Sequence, residues 1–417
     1  MILQARSNHY DLLLSNFAVS LVGWMATAAG VLHFQDAFEG HYYQASLIAL
    51  LHTFTLLTIS PTILGVLYQL LPVVVEGRLG SRTLAWTTSL IWWSGATGFV
   101  ISRLFHPALM PVFAGLLFTA ILTLIVQLIW TTGKGHWNSL AVQVLAATVW
   151  LLVMSVSGAL MASGYYPVSA MRFLQWHAWT GVLGWFSLMI VALGTRLVPM
   201  FMLSHVSDGW ARVSGFILVI APVILFGEAV LEERGFALAV LLLVLASYAG
   251  FCLYLIQCIR KRMRRKLESP MLLFFSSFLF PLLSLALIWG SLLPVGLLES
   301  SMESYSLAFA AMILILLGFV GSATLGMGFK ILPFMSWMAL QSGGGRTGGV
   351  PLPQDIGLRW IPGIIFFVYP GSVLALASGV LFPTIRLVGA VGLIVSIALY
   401  SFYFIHLLLF LLRRRVP

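Results

Sequence analysis

Apolar residues run in blocks of twenty or more from one end of the chain to the other, separated by short polar stretches instead of alternating with polar positions. A helix rises about 1.5 Å per residue, so twenty such residues cross the roughly 30 Å of a bilayer's hydrocarbon. Breaking the chain at charges and at Gly and Pro clusters predicts twelve spans, at 13–34, 44–75, 81–103, 107–131, 139–163, 170–203, 211–230, 235–259, 270–298, 305–337, 359–382 and 386–411. Hydrocarbon offers no water to satisfy backbone N–H and C=O groups, so these runs imply an all-α integral membrane protein. The first run follows a short polar start and exceeds the length of a signal-peptide core, which predicts a retained span.

Composition sharpens this. Of 417 residues 60% are hydrophobic and only 8% charged, which excludes a soluble domain, where about a quarter of residues are charged. The net charge of +10 comes from 22 Lys and Arg against 12 Asp and Glu. If the N-terminus is cytoplasmic, 18 of the 22 basic residues fall on inner loops and ends, including Arg78, Lys134, Arg196, Lys330 and the run Arg260, Lys261, Arg262, Arg264, Arg265 and Lys266. Charge placement therefore predicts the cytoplasmic (inner) membrane with both termini in the cytoplasm. The basic balance then follows from insertion, with attraction of the 260–266 run to anionic lipid heads, and implies no nucleic acid. Cys252 and Cys258 form no disulfide framework and are expected to be packing residues.

Three long runs end alike: Tyr68-Gln69-Leu70-Leu71-Pro72, Thr195-Arg196-Leu197-Val198-Pro199 and Phe329-Lys330-Ile331-Leu332-Pro333. The prolines stand 127 and then 134 residues apart, and four spans fit each interval. The chain therefore reads as a single membrane domain, 1–417, of three pseudo-symmetric four-helix repeats at about 13–131, 139–259 and 270–411.

His52 lies 20 residues before Pro72 and His177 lies 22 before Pro199, so each sits about 30 Å from the inner end of its helix. An imidazole in an apolar helix needs a partner, because an unsatisfied buried polar group costs about 1–3 kcal/mol. An interhelical hydrogen bond and a metal or heme both meet that need. In the third repeat the matching region, 311–313, reads Ala-Met-Ile, where Met312 offers either packing or a thioether opposite an imidazole. His33, with His41 and His106, forms a candidate outer metal or propionate set, although each lies near enough to water to need none.

Twelve spans with both ends inside, three four-helix repeats, and His52-Thr53-Phe54 leading through Pro61 and Gly65 to Leu70-Leu71-Pro72 together resemble subunit I of the heme-copper oxidase superfamily, including its nitric oxide reductase branch. The resemblance implies that His52 ligates a low-spin b-type heme and that His177 occupies the helix where the family keeps a copper ligand. The sequence departs from the family at several points. His177 lacks the family's His-Pro-Glu context, the seventh span has no paired histidines for copper, and the tenth has no histidine at all. Copper and oxygen reduction are therefore not expected, and the resemblance implies a divergent member serving electron transfer, sensing, metal handling or assembly. Other membrane subunits or a redox partner are its expected associates beside the lipid bilayer.

The rival class is a twelve-helix secondary transporter or a cofactor-free scaffold. The loop Glu76-Gly77-Arg78-Leu79-Gly80-Ser81-Arg82 lies where major facilitator carriers keep a Gly-Arg-rich motif. Against it, the long polar loop here follows the eighth span, not the sixth, and the spans hold almost no charge at mid-membrane. Ser342-Gly343-Gly344-Gly345-Arg346 lacks the Gly-Lys-Ser/Thr of a phosphate cradle and reads as a linker.

Overall fold

The computed structural model describes residues 9–39, 43–231, 234–264, 266–291, 301–342 and 351–415. Among these residues there is no strand, only an isolated bridge between Ser204 and Arg262. The long helices are α1 (Tyr10–His33), α2 (Ala45–Val74), α3 (Arg82–Phe105), α4 (Met110–Gly133), α5 (Ser139–Ala162), α6 (Ala170–Met202), α7 (Gly209–Leu231), α8 (Arg234–Arg260), α9 (Ser269–Ser276 and Leu279–Ser291), α10 (Ser301–Ile313, Leu314–Gly321 and Ser322–Ser342 end to end), α11 (Trp360–Gly379) and α12 (Pro383–Arg415). Eleven are long and apolar enough to cross a bilayer; the other, α3, is 24 residues long but more polar. Each falls on one of the twelve predicted spans. The far end of the ninth span, 292–298, lies outside the described residues, as do His41 and most of the Gly-rich linker after Ser342.

Apolar side chains cover the outward faces, as lipid demands: Phe367 is 73% exposed, and Val112 and Leu238 more than half. Tyr165 and Tyr166 are exposed at the end of α5, where an interfacial belt is expected. The aromatic residues at the outer ends, Trp176 among them, are expected from the sequence to form that belt, but Trp176 is buried, with its indole donating to the Pro222 carbonyl within α7 at 3.0 Å.

The helices group into two compact units. One comprises Val66–Phe99 and Ala108–Lys266, so it holds α4 to α8 with parts of α2 and α3. In it α5 packs on α4, α6 and α7, and α8 lies along α7. Its loops after α2 and α4 are bound together: His136 N donates to the Val75 carbonyl at 2.8 Å, Asn138 Nδ2 to Val74 at 3.0 Å, and Lys134 Nζ to Gly80 at 2.7 Å. The Gly-Arg segment discounted as a carrier motif is thus part of a packed joint.

The other unit comprises Asn8–Gly65, Val100–Pro107 and Leu267–Pro417. Here α11 and α12 form an antiparallel pair, α12 also lies against α1, and α9 runs beside α10. Lys330 in α10 pairs with Glu268 at 2.5 Å, and the Lys330 side chain is only 12% exposed.

All three proline-ending helices, α2, α6 and α10, change register partway along. Thr53–Ile59, Gly181–Ser187 and Leu314–Gly321 are π-helical, with i→i+5 bonds. These segments begin 19, 18 and 19 residues before Pro72, Pro199 and Pro333 respectively. A π segment widens the helix, displaces its carbonyls and is found disproportionately at functional sites.

Candidate functional site

The π register leaves carbonyls that neighbouring side chains must meet. In α2 the sequence TFTLLTIS supplies hydroxyls for this. Thr58 Oγ1 donates to Thr53 O at 3.2 Å and Ser60 Oγ to Thr55 O at 2.8 Å, both five residues back. From α1, Ser20 Oγ donates to the Thr58 carbonyl at 2.6 Å, and Thr62 Oγ1 donates to Ser20 Oγ at 2.7 Å. Gly23 permits this approach, since a Cβ there would strike the carbonyl group of Leu57. From α11 the Tyr369 hydroxyl donates to Leu317 O of the α10 π segment at 2.8 Å. Trp24 of α1 sets its ring edge-on against both Phe54 of α2 and Tyr369, at 5.5 and 5.9 Å between centroids. In α6 the glycines Gly181 and Gly184 let Met154 and Trp150 of α5 lie against the backbone.

His52 is the residue immediately before the α2 π segment and is half-buried. Its Nδ1 lies 2.8 Å from the Ile48 carbonyl, one turn back. A carbonyl only accepts, so Nδ1 carries the hydrogen and the neutral ring holds its lone pair on Nε2. Arg103, in the last turn of α3, adds a cation close enough to act electrostatically on this imidazole, which favours an anionic group nearby.

His177 lies four residues before the α6 π segment and is also half-buried. Its Nδ1 is 2.8 Å from Ser157 Oγ of α5. Ser157 in turn donates to Met154 O at 2.8 Å. With the serine hydrogen so engaged, Oγ accepts from Nδ1–H, and the lone pair again falls on Nε2. Gly158, beside Ser157, gives the ring room: a Cβ there would sit 3.3 Å from His177 Cε1. The flank is the buried cluster of Phe173, Trp176 and Ala229.

The two imidazoles thus share more than depth. Each precedes a π segment and each has its Nδ1–H held by an oxygen, the arrangement that fixes tautomer and ring orientation in histidines that bind metal through Nε2. Each imidazole taken by itself is a donor of the kind a heme iron accepts. Met312 is half-buried and lies two residues before the α10 π segment, the corresponding place in the third helix.

The outer set is not assembled among the described residues. His33 is exposed at the end of α1, with its ring against Phe34 at 4.7 Å, and His106 is exposed after α3. No three of His, Cys, Asp and Glu stand together among the described residues in a way that would hold a metal ion. Cys258 is buried and Cys252 half-buried in α8. Sequence reasoning missed Ser157 and the π segments. A serine next to glycine in an apolar helix was the one available signal for Ser157.

No known protein-family profile matches this chain, and no curated protein matches it.

Proposed function

We propose that this chain is a divergent relative of heme-copper oxidase subunit I that binds a b-type heme through His52 and serves electron transfer, sensing or metal handling, not oxygen reduction. What supports the reading most is the pair of imidazoles with their Nδ1–H groups fixed by Ile48 O and Ser157 Oγ, each just ahead of a π segment. The repetition of π segment and proline in α2, α6 and α10 supports three pseudo-symmetric four-helix repeats. It also marks His177 and Met312 as the candidate ligand positions in the other two proline-ending helices. The inner membrane, cytoplasmic termini and a redox partner or companion subunits belong to the same proposal, on the strength of the basic loops and the resemblance.

A bound heme would supply one-electron chemistry at the iron. The chain's own part is to present Nε2 of His52 in one tautomer, to keep water away with the apolar faces of α1 and α2, and to offer the Arg103 cation beside the ring. The test is a reduced-minus-oxidised spectrum of protein purified from heme-sufficient cells. A b-type Soret band and α band are expected, and a colourless, folded protein overturns the reading.

A second reading has its own observation. The Ser157–His177 bond joins α5 to α6 and would satisfy the imidazole in a cofactor-free transporter or scaffold. Ser157→Ala separates the two. As a positioning residue, its loss shifts the heme's reduction potential or band shape while Ser157→Thr restores it. As a mere bridge, its loss lowers thermal stability by about 1 kcal/mol and moves no spectrum.

A further inference from the structure

A buried polar seam runs through the α2–α3–α4 side of the first unit, in the middle of otherwise apolar helices. On α4, Thr123, Gln127 and Thr131 recur every four residues and so share one face. Facing them, Thr88 Oγ1 of α3 donates to Thr123 Oγ1 at 2.9 Å. Ser81 N donates to Gln127 Oε1 at 3.2 Å, and Gly80 N to Thr131 Oγ1 at 3.0 Å. The seam ends at exposed Lys134, whose ammonium lies over the Trp130 ring and donates to Gly80 O. At the other end the Tyr68 phenol, 1% exposed, stands against the hydroxyls of Thr88 and Ser89.

One donor in this seam, the Gln127 Nε2 amide, has no acceptor among the described residues, whereas the Tyr68 hydroxyl has those of Ser89 and Thr88 beside it. Gln127, like Tyr68, is 1% exposed. Such an orphan in an apolar surrounding costs about 1–3 kcal/mol, and lipid tails offer nothing to bond. Water does, where several polar groups converge. The Thr123 hydroxyl lies one turn from Gln127 on the same face of α4, and the contacts of Gln127 with Ser81, Thr131 with Gly80 and Gly80 with Lys134 lead to the polar surface.

We infer that this seam is a water-binding site: water enters at the Lys134 end and reaches the Gln127 amide and the Thr123 hydroxyl inside the bundle. The inference is independent of any heme. It wets the interior of the first unit from the Lys134 end.

The experiment is thiol labelling of the full chain in detergent, in a Cys252→Ala/Cys258→Ala background, with 2-aminoethyl methanethiosulfonate read by intact mass. The reagent needs a thiolate, which forms in water and is suppressed in hydrocarbon. Thr123→Cys is expected to label about tenfold or more faster than Leu122→Cys, its lipid-facing neighbour at the same depth, since each unit of thiol pKa changes the thiolate fraction tenfold. Adding Gln127→Leu is expected to slow Thr123→Cys labelling by removing the amide that holds the water. Should Thr123→Cys fail to fold, Thr88→Cys across the seam gives the same reading. Equal labelling at the seam and lipid-facing positions in monodisperse protein overturns the proposal and leaves a dry hydrogen-bonded seam.

Discussion

If His52 holds a heme as proposed, protein carrying His52→Ala is expected to purify folded and monodisperse but with its heme content reduced at least about tenfold, because the iron would lose the donor that Ile48 orients. The orientation is local: Ile48 O holds Nδ1 from one turn back. His52→Met makes the same test more specific. A thioether retains a ligand while raising the reduction potential, so a coloured protein with a shifted midpoint places the side chain on the iron. If His52→Ala instead leaves the spectrum unchanged, the ligand lies elsewhere; if neither protein is coloured, the imidazole is a structural group.

The second large effect concerns how α1 meets α2. Gly23→Ala is expected to destabilise the protein by about 2–3 kcal/mol, the upper range for overpacking, while Gly115→Ala is neutral or stabilising by up to about 1 kcal/mol. The chemical change is identical and the surroundings are opposite. At Gly23 the new methyl meets the backbone of Leu57, which yields far less readily than a side chain, and pushing α1 away breaks the bond from Ser20 to Thr58 O that satisfies the π segment. At Gly115 nothing lies within 4 Å, and alanine is the better helix former. Thermal unfolding in detergent, followed by far-UV circular dichroism, measures both. A Gly23→Ala protein as stable as its parent would show that the α1–α2 contact is looser than described.

The twelve spans were legible because hydropathy and length are what decide insertion, and residues such as Asn138, whose side chain accepts from Ala141 N at the head of α5, mark where a helix begins. The repeated prolines were legible for a similar reason: proline ends helices. The register change between each histidine and its proline was not. A π turn has no hydropathy signature; TFTLLTIS hints at it through hydroxyls, whereas GVLGWFS and LILLGFVG read as ordinary apolar helix. The break in α9 after Ser276 was also hidden, since Ser277 and Phe278 sit in an unbroken apolar run. Tertiary partners decided the rest. Depth along the helix drew attention to His177, but only the fold shows Ser157 beneath its Nδ1 and Trp176 turned from the expected belt to donate to the Pro222 carbonyl on α7. Lys330 belongs to a repeated motif, but its pairing with Glu268 is visible only in the fold, where the matching Gln69 is buried and Arg196 exposed.

The central claim is that the imidazole ahead of the first π segment holds a heme. An electron cryo-microscopy map of the purified membrane protein tests it most directly. The account predicts macrocycle density with its iron against Nε2 of His52, just ahead of Thr53–Ile59. A map in which Nε2 of His52 meets only protein or lipid, in protein prepared from heme-sufficient cells, would contradict it.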